Sequence, residues 1–574
     1  MKRIAEAFLA GTSSLLIACI FATTGSPSTY EILIYTAVTP MFWILIVAAF
    51  VFYSFGLIEA ASRASHMMIG TGLLGITLVN GILTALPAIR YRTYYTQWDI
   101  WFHLGNTVRI ASTGHVDLST NFYPSLHLLW TFISQVTGYT VFSIGIFLGS
   151  ILTPLIIPST YVLTCRLFRS RLAGSIAASL AAIPSGIVGT FPNPWYYSTT
   201  LFVVMIAAVV LRTERATVSR TVCGIVVLLA FVISHPLAPV FLILAMVLAA
   251  TVPRVMAMVG GVRLVSSSAS VRRWWIRALT YTTVMYVAWI SILTLVLRIS
   301  LTHLIDAISA EGVIKPITYG RFLSVSLLAK VLGATAIVGA YWLLGVIVLR
   351  KRGPTSNGPA LNLVLSLTFV GILLTVVFQI IAGGEFLGTF IERPIYIIAL
   401  FTPPVASVFI SAISEIRTSE RNRWIATVAA VTIPFMVALP AMFPSPYVAL
   451  FNYQNTQQLY DSTNWAAKFI PNSAEVLSNS YVGRYAYYPL QAGEQNYGKL
   501  YHLQNTIPSN FSQFLSSSAQ GRYLILDKET IEVASLDLRA WEAPSTRDLA
   551  MINSAVTILR IYDSGEVQVY RTLG

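Results

Sequence analysis

The feature that most constrains this chain is the recurrence of apolar stretches up to about residue 444. The hydrocarbon core of a bilayer is about 30 Å thick, so a helix needs about 20 mostly apolar residues to cross it. The pattern predicts an all-α polytopic membrane protein. The thirteen predicted spans are 7–23, 31–57, 67–89, 141–164, 172–190, 199–211, 221–234, 237–252, 278–297, 327–349, 361–382, 395–414 and 424–443.

Composition supports this assignment and excludes several classes of protein. Hydrophobic residues make up 56% of the 574 residues and charged residues only 10%, which is not the composition of a soluble domain. The net charge of +14 comes from short clusters between apolar runs, so we expect no nucleic-acid partner. The three cysteines have no ligand spacing and predict neither a disulfide framework nor a zinc site.

The basic residues also predict an orientation, because cytoplasmic loops are enriched in Lys and Arg. With the N-terminus inside, the inner loops of the membrane region carry twenty Lys and Arg residues and the outer loops eight. The N-terminus is therefore expected to be cytoplasmic, and the plasma membrane is the default location because the sequence shows no sorting signal. Residues 90–127 would form an outer loop, and everything after the last span would be extracytoplasmic.

The composition changes after residue 444, and residues 445–574 are predicted to form a separate soluble α/β domain. This part carries 9 basic and 11 acidic residues. Alternating apolar runs at 522–526, 556–562 and 566–570 are typical of strands, and Asp563-Ser564-Gly565 predicts a turn between the last two. A helix is predicted from about Thr463, capped by Ser462 or Thr463.

The outer loop 90–127 is the predicted active-site segment. Asp99, His103 and Asn106 have the spacing of one helical face. This spacing predicts a helix at the membrane interface, with its apolar face toward the bilayer and its carboxylate toward water. The opposite face would carry Trp98, Trp101, Phe102 and Val108.

Asp99 and His103 are the candidate catalytic residues. A carboxylate among tryptophans can serve as a base, or as a ligand of a divalent metal such as Mg²⁺ or Mn²⁺, with His103 completing the metal site. The alternative for Asp99 is an ion pair with Arg92 or Arg109. The alternatives for His103 are phosphate binding and a structural role.

Trp98, Trp101, Tyr123, His127 and Glu385 are the candidates for a loop that contacts the acceptor or another part of the substrate. The apolar stretch 126–137 is too short to span, and it could enter the membrane beside the site. The alternative is an interfacial anchor, in which Tyr123 and Trp130 are belt aromatics.

His235 and Arg393 are the candidate residues for a donor phosphate. His235 interrupts the apolar run 221–252, and a polar side chain near a membrane span favours a functional role. Its alternative is a tight hairpin in which the imidazole bonds a backbone carbonyl. Arg393 opens a span, where its forked cation suits a lipid-linked phosphate, unless it pairs with Glu385 or Glu392.

The order of these features resembles the GT-C superfamily of polytopic glycosyltransferases, most clearly in WDIWFHLGNTVRIASTG (98–114) and NFYPSLHLLWTFISQVTG (121–138). The spans and the outer C-terminal domain are similar to the catalytic subunit of archaeal and bacterial oligosaccharyltransferases. The resemblance implies a polyprenyl-phosphate-linked sugar donor, an essential acid at Asp99 and a donor-phosphate residue at Arg393. No acid stands in the next outer loop (FPNPWYY), and no WWDYG motif is present, so transfer of a single sugar fits better than protein N-glycosylation.

The sequence therefore predicts transfer of a sugar from a polyprenyl-phosphate donor to an acceptor on the outer face, by inversion with an aspartate base. The expected partners are that lipid-linked sugar, membrane lipids and a glycan, lipid or protein acceptor. A transporter or flippase for a lipid-linked or anionic substrate is the alternative, although no repeat is found. A non-catalytic membrane scaffold is the third possibility.

Overall fold

A computed structural model represents the 574-residue chain. It describes residues 2–24, 31, 33–63, 65–91, 100–118, 121, 123–183, 194–212, 218–260, 269–292, 336–352, 361, 364–373, 385–415, 419–443, 457–471, 476–478, 523–528, 550, 552–555, 558–564 and 567–572.

The described residues form a mainly helical protein with one small sheet. The helices, in chain order, are α1 (Lys2–Thr23), α2 (Ile34–Ala37), α3 (Pro40–Ser62), α4 (His66–Tyr91), α5 (Ile100–Thr113), α6 (Ser125–Thr137), α7 (Val141–Leu152), α8 (Ile156–Phe168), α9 (Arg171–Ala181), α10 (Pro194–Arg212), α11 (Val218–Val232), α12 (Leu237–Gly260), α13 (Ala269–Ile292), α14 (Ala336–Arg352), α15 (Val364–Leu373), α16 (Glu385–Ser414), α17 (Glu420–Ala438) and α18 (Gln457–Phe469).

Five segments among the described residues are long and apolar enough to cross a membrane. They are Lys2–Thr23, Pro40–Ser62, His66–Tyr91, Val141–Phe168 and Ile397–Ser414. Each of the thirteen predicted spans overlaps a helix in the part of the chain that the structure describes. The chain is thus a multi-pass helical membrane protein, as its sequence predicts, while the number of thirteen crossings stays a prediction.

Prolines modify two of these spans. The predicted span 31–57 is wrong at its start, because the spanning helix begins at Pro40, after the separate short helix α2. Proline suits the first turn of a helix, where its missing N–H is not needed. In the predicted span 141–164, a 3₁₀ turn at Thr153–Leu155 containing Pro154 separates α7 from α8, since proline cannot donate the helical hydrogen bond.

Small residues bring α1, α3 and α4 into close contact. A Cβ atom added at Gly56 would overlap the Phe8 ring, and one added at Gly75 would overlap the Tyr53 ring. Tyr53 also shares a 2.8 Å hydrogen bond with Thr12 of α1. Because lipid tails are as apolar as the side chains, such close packing is a main source of helix association in a bilayer.

Hydrogen bonds show which helix ends lie on the same side of the membrane region. We call the side where α4 ends and α7 begins the loop side, because α5 and α6 connect these two ends. The Tyr35 hydroxyl donates to Leu439 O and accepts from Phe443 N, which places the end of α17 beside α2 on the loop side. Arg423, at the start of α17, donates to Ser414 O at the end of α16. As a span, α16 therefore begins on the loop side.

The C-terminal part forms a four-stranded sheet of order β1-β2-β4-β3. The strands are β1 (Val476–Ser478), β2 (Tyr523–Asp527), β3 (Ile558–Asp563) and β4 (Val567–Thr572). β1 pairs parallel with β2, and the other two pairs are antiparallel. The three predicted strands are confirmed within two residues at their starts, whereas β1 is not predicted from the sequence.

The predicted start of the C-terminal helix is wrong. α18 begins at Gln457, and Ser462 lies inside the helix, where its hydroxyl donates to Gln458 O. The same hydroxyl lies 3.2 Å from the Tyr562 hydroxyl of β3. Ser462 therefore connects the helix to the sheet and does not act as a cap. The domain boundary at residue 444 stays a prediction.

Candidate functional site

Two short helices on the loop side carry the candidate site. α5 and α6 pack against each other, and both end at a glycine in the left-handed conformation, Gly114 with φ 67° and Gly138 with φ 73°. Glycine adopts this conformation without the steric cost that a side chain brings. Trp130 of α6 is fully buried, and its Nε1–H donates to Val141 O at 2.6 Å.

The face of α5 that carries His103 and Asn106 is predicted to be turned toward water, and this prediction is wrong. His103 and Asn106 are each 2% exposed, so this face is turned into the protein and not toward water. The polar partner of His103 is His127 of α6, and that of Asn106 is Arg109 of α5, so these side chains have partners other than water. The belt position predicted as the alternative for Trp130 is also wrong, because its ring lies in the core.

A hydrogen-bonded chain of three side chains forms the centre of the site. His103 Nδ1 lies 3.0 Å from His127 Nε2, and His127 Nδ1 lies 2.9 Å from Asn121 Oδ1. All three side chains are buried. Burial lowers the pKa of His103 to about 3, because the charged imidazolium loses its hydration. Burial also lowers the pKa of His127 well below its ordinary value, and the nearby His103 lowers it further.

Aromatic contacts add Tyr123 and His235 to this chain. The Tyr123 ring lies 5.9 Å from His103 and 5.7 Å from His235 between ring centroids, and it stacks on His235. His235 stands in the turn between α11 and α12, and it is buried. The structure thus brings together residues separated by more than 100 positions. We call these five residues, His103, Asn121, Tyr123, His127 and His235, the histidine cluster.

Further polar groups surround the histidine cluster. Thr107 donates to His103 O at 2.8 Å, and Tyr197 of α10 forms a hydrogen bond with Ser125. The amide nitrogens of Asn106 and Asn121 are buried without a hydrogen-bond partner among the described residues. Such orphan donors are rare in folded proteins and mark a place for a water or a ligand. Tyr197 is not predicted from the sequence, where its aromatic neighbours are the one available signal.

Several predicted site residues cannot be placed. Trp98 and Asp99 lie outside the described residues, directly before α5. Trp101 lies in α5, and Glu385 and Arg393 lie in α16, but only their backbone is described. Arg109 pairs with Asp117 at 3.6 Å and donates to Asn106 Oδ1 at 3.2 Å.

The backbone of α16 nevertheless locates Arg393. The apolar part of this helix runs over Ile397–Ser414, and Arg393 precedes it by about one turn on the loop side. From Ser414 to Arg393 the helix rises by roughly 30 Å, the thickness of the hydrocarbon core. The backbone of Arg393 therefore lies just beyond the loop-side end of the apolar segment, on the side that carries the histidine cluster.

Nothing tests the predicted metal, because Asp99, its first predicted ligand, lies outside the described residues. The Nδ1 atom of His103, the other predicted ligand, faces His127. No group of three or more His, Cys, Asp or Glu residues in the described part of the chain could hold one. Mg²⁺ and Mn²⁺ prefer oxygen ligands, and two imidazoles bonded to each other do not supply them. The predicted metal site stays a prediction.

The described helices include membrane-spanning segments, and a cluster of buried imidazole and amide groups lies at one end of them. These two features define the class of this chain, a multi-pass membrane protein with a polar site at one end of its spans. No protein-family model matches the sequence, and no curated protein matches it. The chain is similar to two crystal structures of ArnT from Cupriavidus metallidurans, one bound to undecaprenyl phosphate and one in the apo state. Both give a TM-score of 0.45, at 12% and 11% identity, and cover 87% of this chain and 97% and 96% of theirs.

Proposed function

We propose that the protein is a membrane glycosyltransferase that transfers a sugar from a polyprenyl-phosphate donor to an acceptor on the loop side, which the distribution of basic residues makes the outer face. The histidine cluster is the observation that carries this proposal. It gathers buried polar side chains from three separate segments at one end of the membrane region. Polar groups at such a position are costly and are generally functional.

The chemistry of the cluster suits an uncharged, polyhydroxylated group. A neutral imidazole offers one donor and one acceptor, and a side-chain amide offers both. Asn121 bonds His127 of the cluster, Asn106 lies three residues after His103 on α5, and the amide nitrogens of both are buried without a hydrogen-bond partner among the described residues. Ligand sites commonly combine apolar rings with a few polar groups that fix orientation, and sugar hydroxyls need such donors and acceptors.

The position of Arg393 suits the phosphate of a lipid carrier. A polyprenyl chain lies in the hydrocarbon core, so its phosphate lies at the membrane boundary. A guanidinium at this depth binds phosphate through paired hydrogen bonds. Arg393, together with His235 from the histidine cluster, would hold the phosphate as the leaving group.

Asp99 is the proposed base, and His103 follows it four residues later, on α5. The carboxylate takes the proton of the acceptor hydroxyl, and the hydroxyl oxygen attacks the anomeric carbon. The bond from that carbon to the phosphate oxygen breaks, and its electron pair leaves with the polyprenyl phosphate. A single displacement of this kind inverts the anomeric configuration. No step requires a metal ion or a nucleotide.

The test uses the purified full-length protein in lipid vesicles with single-sugar polyprenyl phosphates and an extract of envelope glycans and lipids as acceptors. Release of free polyprenyl phosphate is measured by mass spectrometry, and donor binding is measured separately. We expect Asp99→Asn to lower release by roughly 10²- to 10⁴-fold, the usual contribution of a general base, while donor binding persists. Arg393→Gln should weaken donor binding itself.

Two variants serve as matched controls. Asp117→Asn removes a carboxylate from the same loop, and Arg560→Gln removes an exposed arginine from the C-terminal sheet. Both should keep wild-type turnover. Movement of the intact donor across the vesicle membrane without cleavage would instead support a flippase. Equal turnover of Asp99→Asn and Asp117→Asn would exclude the catalytic assignment.

A further inference from the structure

The helix α6 exposes an apolar stripe. Leu128, Phe132 and Val136 follow one another at intervals of four, so they lie within an arc of about 80° on the helix. Phe132 is 61% exposed and Val136 is 67% exposed, and Leu128 is exposed as well. Four buried side chains lie on the opposite face: Leu126, His127, Trp130 and Thr131. We call Leu128, Phe132 and Val136 the outer stripe.

The sequence around the outer stripe does not suit a surface in water. No Asp, Glu, Lys or Arg stands between Asp117 and Arg166, so α6 carries no charged side chain on any face. The helix α18, in the C-terminal part, instead exposes Asp461 and Lys468. Because the outer face of a helix in water normally carries charged and polar residues, the outer stripe is typical of a face that contacts lipid.

The polar side chains at the end of α6 suit the same environment. Thr137 Oγ1 donates to Ile133 O at 2.7 Å, and Ser134 Oγ donates to Tyr139 O at 2.6 Å. Hydroxyls that bond backbone carbonyls need no water, as a lipid environment requires. The exposed Gln135 and Tyr139 each join an apolar part to a polar tip, and such side chains suit the boundary between acyl chains and headgroups.

The outer stripe also adjoins a membrane span. Three residues separate the end of α6 from α7, which begins the apolar segment Val141–Phe168. The Nε1–H of Trp130 donates to Val141 O, so the middle of α6 lies at the loop-side end of that span. Further along the span Ile151 is exposed, as a residue that faces acyl chains is. The apolar surface of the span thus continues along the chain into α6.

We infer that α6 lies in the loop-side leaflet of the bilayer, with its outer stripe against the acyl chains of membrane lipids. His127 stands on the opposite face of α6, and a helix is about 10 Å across, so the histidine cluster lies roughly that far from the acyl chains. The lipid contact thus sets the depth of the cluster relative to the bilayer. The use of this depth for a lipid-linked donor rests on the proposed function, whereas the lipid contact itself does not.

A spin label on the full-length protein in phospholipid vesicles tests the contact. Collisions of the label with oxygen, which concentrates among acyl chains, are compared with collisions with a water-soluble nickel chelate by power saturation. The label is placed at Phe132→Cys, at Ile151→Cys within the span, or at Lys468→Cys on α18. The native cysteines are replaced by Cys19→Ala, Cys165→Ala and Cys223→Ala.

We expect the ratio of oxygen to nickel collisions at Phe132 to be several-fold higher than at Lys468 and similar to that at Ile151. A ratio at Phe132 equal to that at Lys468 would place the outer stripe in water and overturn the inference. Few collisions with either reagent would also overturn it, because protein would then cover the stripe. Dipolar broadening between labels would identify that protein as a second copy of the chain.

A photoreactive side chain gives a second test that keeps the native cysteines. Benzoylphenylalanine in place of Phe132 should attach to a phospholipid on irradiation, as it should in place of Ile151, and the product should gain the mass of one lipid. The same side chain in place of Lys468 should gain none. Attachment at Phe132 to protein alone, or to nothing, would refute the lipid contact. If lipid attaches at Phe132 but the wild type transfers no sugar, the proposed function fails and this inference stands.

Discussion

The ion pair between Arg90 and Glu31 gives the sharpest prediction about stability. Arg90 lies in the last turn of α4, where its side chain is 4% exposed, and that of Glu31 is 20% exposed. Two nitrogens of the guanidinium donate to the carboxylate, Nε at 2.8 Å, and a third donates to Thr24 O at 3.4 Å. This arrangement connects the segment before α2 to the helix that leads into the site.

Glu31→Gln should destabilise the protein by about 3–5 kcal/mol, because it leaves a buried guanidinium without its counter-ion. At about 1.4 kcal/mol per tenfold, the unfolding equilibrium constant rises by roughly two to three and a half decades. The double variant Glu31→Leu/Arg90→Met removes both charges and should differ from the wild type by only about 1 kcal/mol, since apolar residues of similar volume commonly replace a buried pair at no cost.

Equilibrium unfolding in mixed micelles with increasing SDS content, followed by far-UV circular dichroism, measures these differences. Glu6→Gln is the matched control, because its pair with Lys2 is 3.9 Å long and exposed, and such pairs contribute about 0–1 kcal/mol. A Glu31→Gln variant as stable as Glu6→Gln would refute the reasoning. A double variant as unstable as Glu31→Gln would show that the loss comes from the carboxylate's other contacts.

Three further predictions concern packing, pH and the site helices. Gly75→Ala should cost about 1–3 kcal/mol by displacing the Tyr53 ring, whereas Gly70→Ala, with open space around its Cβ, should be neutral or stabilising in the same unfolding measurement. The pKa of His103 is lower in the folded than in the unfolded chain, so the unfolded state binds more protons below pH 6.5. The free energy of unfolding should therefore fall as the pH drops from about 6.5 toward 3. The slope should be at most about 1.4 kcal/mol per pH unit. His103→Gln should lessen this slope in acid unfolding followed by circular dichroism, while His115→Gln, at an exposed position, should leave it unchanged. Trp130→Phe should cost about 1–3 kcal/mol by leaving Val141 O without its donor, and Trp465→Phe, which keeps an aromatic ring beside Tyr562, should cost less in the same SDS titration.

The sequence predicts the helical framework well, because a bilayer requires long apolar segments and such segments are easily recognised in a sequence. It predicts less where proline acts locally, as at Pro40 and Pro154, since the length of an apolar run does not show where a helix begins or kinks. β1 was missed because three residues are too few for alternation to be visible.

The candidate site is predicted only in part, because the sequence identifies its polar residues but not the contacts between them. His103, Tyr123, His127 and His235 were singled out as polar residues near apolar segments, and the structure brings them together. The partnership of His103 with His127 could not be predicted, because periodicity tells which residues share a helical face and not what that face meets. The roles of Asp99 and Arg393 stay predictions.

The packing of the C-terminal sheet also determines when the hydrophobic core around α5 can form during synthesis. Ile100 and Leu104 of α5 belong to one hydrophobic cluster with Val567 and Val569 of β4, almost the last residues of the chain. At about 5–20 residues per second, a ribosome needs roughly 20 to 90 seconds to make the chain between them. During that interval the helices that carry the histidine cluster lack part of their core. The core under the site is thus completed only after β4 has been made, and a chain that lacks β4 would carry α5 and α6 with this core unfinished.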